Sequence, residues 1–274
     1  MSKSAPDLSP RGRIRTIAKL IQENSRTRSP WDTFSDAVEL MALAISNSVD
    51  LAQFQRREER YLQIVKRYEP NEISRFTQIF AEVVSALEYE ATDVLGAVFG
   101  EMEQANKHVG QFFTPSHLCR ALASMMVGDG AEMRQKIDQR GFITAQEPAV
   151  GAGAMIIALA VAMQEAQLNY QEHLHVTAID IDARAVHMAY VQFSLLNIPA
   201  VVYTGNTISL EMREAWHTPA HVLGLWSHKL RRGFSLGSGM DVSTIGDERL
   251  EHDAAQPLLP DVRMGQLDLF EVAA

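Results

Sequence analysis

The chain has 274 residues, 46% of them hydrophobic, and a formal net charge of −9. That is enough apolar material for one large domain or two small ones, and the acid excess excludes a chain that coats nucleic acid over its whole surface. The single cysteine, Cys119, excludes an internal disulfide framework. With no membrane-length apolar run and no signal-peptide core in MSKSAPDLSP, a reducing cytoplasm is the expected location. No H-E-x-x-H spacing occurs, so no metal site is expected. The charge is uneven. Residues 1–30 carry seven cations against two acids, and residues 241–274 carry eight acids against two cations. The two ends read either as solvated termini or as contacts for different partners.

In chain order, residues 1–108 read as a helical N-terminal domain. Arg13–Ile21 and Trp31–Val49 carry apolar residues at three and four spacings, with Ser29-Pro30 as a stop and a new start. Leu51–Tyr68, Glu72–Leu87 and Thr92–Asn106 continue the pattern, with Pro70 and Thr92 at first-turn or cap positions. A further helix is predicted from Pro115 to about Met126. The period then changes. GFITAQ from Gly141, HLHVTAID (His173–Asp180) and PAVVYTG (Pro199–Gly205) are predicted strands. Ala154–Leu168 and Ala183–Asn197 are predicted helices between them. Such alternation with short connections means a parallel α/β sheet. Beyond Asn206, Ile208–Trp216 and Ala220–Leu230 are expected as short helices, with HVLGLW a possible strand. Residues 231–274 read as a flexible acidic tail.

The stretch after the first strand, Glu147-Pro148-Ala149-Val150-Gly151-Ala152-Gly153, outlines a strand, a tight turn and a helix. Ile156 stands where the dinucleotide fingerprint wants a third glycine, so a nicotinamide or flavin is disfavoured. Asp180 ends the next strand, where a carboxylate can accept ribose hydroxyls. Gly205-Asn206-Thr207 ends the third, where a short polar side chain can meet an adenine edge. The loop carries no Lys or Arg, so the ligand is a nucleoside that need not bear phosphate.

These residues, with DVLGAVFGEMEQANKHVGQFFTP (Asp93–Pro115), resemble the DNA N6-adenine methyltransferases, most of all the modification subunits of type I restriction systems. The resemblance runs over roughly residues 71–207. It implies a partial Rossmann-like S-adenosylmethionine-dependent methyltransferase sheet over residues 109–230, with S-adenosylmethionine as cofactor and DNA as a partner, direct or through another subunit. By position, Gln111, Phe113, Thr114 and Pro115 belong to the family's G-Q-[FY]-[FY]-T-P loop over the methionine end. Glu147, Gly151 and Gly153 match its D/E-P-A-x-G-x-G turn, with Val150 for the usual cysteine. Asp180 matches the ribose carboxylate. Asn206 replaces an aspartate that accepts the adenine amino group.

The family's [NDS]-P-P-[YFW] motif, which holds the target adenine, has no counterpart. The sequence contains no Pro-Pro, and the nearest fragment is Thr218-Pro219-Ala220-His221. No catalytic residue is assigned, and inactivity of the isolated chain is expected. The chain reads as truncated after the third strand, leaving the far edge of the first strand for HVLGLW, the C-terminal segment or a second subunit to cover. At the end, Gln266-Leu267-Asp268-Leu269-Phe270 matches the peptide by which bacterial proteins bind the replicative sliding clamp, with Gln266, Leu267, Leu269 and Phe270 as contacts. Two functions follow from these readings. One is a methyltransferase relative whose missing site comes from a partner. The other is a non-catalytic adaptor bound to the clamp or to a restriction-modification complex. The rival reading of the tail is an intramolecular strand on the open edge.

Overall fold

The computed structural model describes residues 7–25, 27–105 and 114–240, and the backbone of 266–268. Five helices form the N-terminal region: α1 (Pro10–Asn24), α2 (Pro30–Asn47), α3 (Phe54–Val65), α4 (Pro70–Tyr89) and α5 (Val94–Ala105). Three begin with proline in the first turn, where its missing N–H costs nothing. Ser9 and Ser29 cap α1 and α2, and Glu69 and Glu72 form a reciprocal capping box on α4. At α5 the expected cap at Thr92 gives way to Asp93, whose carboxylate accepts from Gly96 N at 2.8 Å.

The expected helix after Pro115 is α6 (Ser116–Val127), and it is followed by α7 (Ala131–Arg140), which the sequence pattern did not reveal. α7 is strongly polar, with only Met133 and Ile137 buried, so its apolar stripe is too thin to read. Then come β1 (Ile143–Glu147), α8 (Ala154–Glu165), the single turn α9 (Tyr170–His173), β2 (Leu174–Asp180), α10 (Ala183–Leu195) and β3 (Ala200–Asn206). β1, β2 and β3 pair in parallel in that order.

Past Asn206 the structure corrects the expectation. Residues 208–216 are not a helix. They include most of β4 (Glu211–His217), antiparallel to β3. Ile208, Met212 and Trp216 stand four apart, which mimics a helical face. However, the Asn206 side chain accepts from Ile208 N and Ser209 N, and Leu210 takes a left-handed φ of 58°, so the chain reverses. Two short helices follow, α11 (Pro219–Leu223) and α12 (Trp226–Arg232), and HVLGLW is not a strand. The tail reading of residues 231–274 is modified at both ends: Arg231 and Arg232 close α12, and Gln266–Asp268 form β5, parallel to the outer edge of β1. The sheet order is β4-β3-β2-β1-β5.

Leu174, Val176 and Ala178 of β2 and Ala200 and Val202 of β3 face the helices and join a core continuous with α1, α2, α4 and α5. The helical region and the sheet therefore share one apolar interior. Arg57 of α3 adds a polar tie to the hairpin. It is 2% exposed, pairs with Asp50 at 3.0 Å, donates to Ala215 O at 2.8 Å and lies over the Trp216 ring. Among the described residues, no helix is long and apolar enough to cross a membrane.

Candidate functional site

The carboxyl ends of β1, β2 and β3 converge on the glycine turn. Gly151 and Gly153 hold left-handed φ values of 54° and 101°. At 153 the reason is space as well as torsion, because a β-carbon there would lie 2.6 Å from the Phe193 ring. The turn delivers the chain to the start of α8, whose first amides have no partner within the helix and carry the positive end of its dipole.

Asp180 ties the second loop to the first. One carboxylate oxygen accepts from Gly151 N at 2.8 Å and the other from Asp182 N at 3.0 Å. Each oxygen retains acceptor capacity for a hydroxyl. Asp182 caps α10 through Arg184 N at 2.9 Å. Glu147, buried at the end of β1, accepts from Ala149 N at 3.2 Å. The third loop joins through Thr207, whose hydroxyl donates to Pro148 O at 2.7 Å. Asn206 is in place beside these loops, but its side-chain oxygen is engaged in the turn after β3. Thr114 and Pro115 are exposed at the start of α6. Gln111 and Phe113, and likewise Leu269 and Phe270, lie outside the described residues. Gln266 and Leu267 are placed by their backbone in β5.

Sequence reasoning missed several contributors. Thr207 was read only as part of a polar end. Gln192 and Phe193 fall inside the predicted helix Ala183–Asn197, and neither has a motif to mark it. Ile181, between Asp180 and Asp182, is 60% exposed. Its exposure, which the sequence does not reveal, is what marks it as an apolar contact at this rim.

The Thr218-Pro219-Ala220-His221 fragment stands at the wrong end of the sheet for adenine. Thr218 bonds Ala200, the first residue of β3, and caps α11. A histidine cluster occupies this foot. His175 and His221 ring nitrogens are 2.8 Å apart, His221 reaches Ser227 Oγ at 2.9 Å, and the His217 ring lies 5.0 Å from that of His221. Burial, then its neighbours His221, His217 and Lys229, hold His175 well below the ordinary histidine range. Burial and His217 bring His221 down to about 4. Among the described residues, no group of His, Cys, Asp and Glu is arranged to hold a metal ion.

Residues 91–223 match the N-6 DNA Methylase family, just under half of the chain. No curated protein matches. Among solved structures, a DrdV–DNA complex is 17% identical, with a TM-score of 0.34 over 70% of this chain and 21% of that one. A type I restriction-modification methyltransferase subunit from Streptococcus thermophilus is 12% identical, with a TM-score of 0.35 over 69% of this chain and 56% of that one. A class I S-adenosylmethionine-dependent methyltransferase from Listeria monocytogenes, described as putative, is 12% identical, with a TM-score of 0.37 over 80% of this chain and 69% of that one. The chain thus spans about a fifth of the first of these and just over half of the second. The family match coincides with the segment that holds the glycine turn, Asp180 and Asn206. It bears out the resemblance read from those residues, and the mixed α/β fold is the one they implied.

Proposed function

We propose that this member of the N-6 DNA methylase pattern binds S-adenosylmethionine across the carboxyl ends of β1, β2 and β3. We propose further that it serves adenine N6-methylation in DNA with a partner supplying the adenine-docking residues. The observation that carries the reading is the Asp180 carboxylate, which accepts a hydrogen bond from Gly151 N in the glycine turn and another from Asp182 N in its own loop. When bound, the cofactor supplies a sulfonium methyl group to a nucleophile.

The chain's own residues would bind and orient. Asp180 accepts the ribose hydroxyls through its remaining acceptor sites. Gly151 and Gly153 let the backbone approach closely. Ile181 offers apolar surface to the adenine ring. Thr114 and the first amides of α6 meet the methionine carboxylate, and Gln111 and Phe113 complete that loop. Asn206 has its oxygen engaged, so its amide hydrogens would donate to an adenine ring nitrogen. The acceptors that would aim the target amino group at the methyl, and the ring that would stack on the flipped base, are not found in the sequence. The isolated chain is therefore expected to bind cofactor without turnover.

The adaptor reading rests on Gln266–Phe270. Pairing of Gln266–Asp268 with β1 favours a tail that closes the sheet edge. Clamp binding by the same residues requires that strand to leave.

Calorimetric titration with S-adenosylmethionine, followed by a radiolabelled methyl-transfer assay on mixed-sequence DNA, tests both parts. Binding without transfer is the expected result. No heat at millimolar cofactor overturns the binding site. Transfer by the chain alone, abolished by Asp180→Ala, overturns the need for a partner.

A further inference from the structure

The side-chain amide of Gln192 touches three segments at once. It lies in α10 with no exposed surface. Its Oε1 accepts from Val94 N at 2.7 Å and Leu95 N at 3.0 Å, the first amides of α5. Its Nε2 donates to Ala152 O at 2.7 Å, inside the glycine turn, and to Asp93 Oδ1 at 2.9 Å. Two acceptor sites and two donor hydrogens are the full capacity of a carboxamide, and all four are used. A buried polar group satisfied on every side is costly to alter, because any replacement leaves a donor or acceptor without a partner. If the position served packing alone, a leucine or methionine would suit it better. The next residue, Phe193, presses on Gly153, so α10 buttresses the turn twice.

We infer that Gln192 is a positioning residue that locks the glycine turn to the start of α5 and so holds the turn in the place that the proposed cofactor site requires. The inference rests on the S-adenosylmethionine reading for its functional meaning, but the lock is measurable without ligand.

The test uses the full chain with two substitutions. Gln192→Met removes every bond. Gln192→Glu keeps an acceptor for Val94 and Leu95 and removes the donor to Ala152 and to Asp93. Met188→Ala, at a buried site on the same helix, is the comparator. Cofactor affinity, amide hydrogen exchange and melting temperature are measured for each. Gln192→Met should raise the cofactor dissociation constant at least tenfold and speed exchange at both 94–97 and 149–153. Gln192→Glu should weaken binding at least as clearly, with exchange rising at 149–153 and held at Val94 and Leu95. If Gln192→Met does not fold, the glutamate variant decides. Met188→Ala should lower the melting temperature as much while leaving affinity within twofold. Wild-type affinity in the glutamine variants, or an equal loss in Met188→Ala, overturns the inference. If the wild-type protein binds no cofactor, the functional reading fails, and the exchange pattern alone upholds or overturns the lock.

Discussion

The two sides of β1 are built differently. On its inner side, the loop after β1 is tied to the loop after β2, to the loop after β3 and to α10 by one specific bond each. Asp180 holds Gly151, Thr207 holds Pro148, and Gln192 holds Ala152. On its outer side, three residues of β5 cover an edge five residues long. Elsewhere, α6, packed against α8, exposes Leu118, Leu122 and Met125. On the proposed reading, the contrast separates the loops that would meet the cofactor, which are cross-braced, from an outer edge that is closed with minimal structure.

The most severe way to break the braced side is Gly153→Val. Its β-carbon would collide with the Phe193 ring in a conformation that a branched residue avoids. A loss of about 3–6 kcal/mol is expected from overpacking and backbone strain together. Gly128→Ala, at a φ of 56° and ψ of −128° with open space around it, should cost only about 1–3 kcal/mol from backbone strain. Urea denaturation of the two variants checks the difference. Equal losses would mean that torsion, not the fit against α10, fixes the turn.

Acid tests whether the foot of the sheet can fail independently of the site. His175, His217 and His221 at the foot, and His187 in α10, all titrate below the ordinary value of 6.5, chiefly because burial disfavours their charged form. The unfolded chain binds protons more readily, so stability present above pH 6.5 is lost as pH falls toward about 4. The slope is about 1.4 kcal/mol per pH unit for each strongly shifted histidine, or roughly 2 kcal/mol each between pH 6.5 and 5. The nearby charges temper this. Asp50 favours protonation of His217, while Arg57 opposes it. Glu39 and Asp182 favour protonation of His187, while Arg60 and Arg57 oppose it. His221→Gln should flatten the pH dependence of the denaturation midpoint. An unchanged slope would remove His221 from the account.

Asp180→Ala removes a proposed ligand contact together with the bond that braces Gly151. Losing a charged hydrogen-bond acceptor should weaken S-adenosylmethionine by about 1.5–3 kcal/mol, roughly 10- to 150-fold. Calorimetry reads this directly, and Asp180→Asn, which keeps an acceptor, should lose less. Equal losses in the two variants would show that charge rather than bond geometry holds the ribose.

What was legible in the sequence follows the same division. The parallel strands announced themselves as short apolar runs, and the helix starts as Ser-Pro and Glu-Pro pairs, because those signals are local. Gly151, Gly153 and Asp180 stand out in the sequence because each follows or ends a predicted strand, and the structure brings them together through the Asp180–Gly151 bond. β4 was misread because Ile208, Met212 and Trp216 fit a helical period, and the turn set by Asn206 and Leu210 depends on pairing with β3. Gln192 was invisible because its partners lie about forty and a hundred residues away. The foot position of Thr218 likewise depends on where β3 begins.

The smallest effect is expected at the tail, and it sharpens the contrast most directly. Three paired residues contribute little net stability, so deleting residues 265–274 should cost only about 1 kcal/mol and leave cofactor affinity within twofold. A synthetic peptide of residues 261–274 is expected to bind the sliding clamp at micromolar strength, as two apolar anchors and a glutamine would allow. The intact chain should bind more weakly than the peptide, because the fraction with β5 released from β1 limits its apparent affinity. Polarisation measurements with the labelled peptide, competed by the intact protein, give both numbers. Equal affinities would mean that β5 does not restrain the tail. Failure of the peptide to bind would leave Gln266–Phe270 with a single role, closing the edge that the rest of the sheet leaves open.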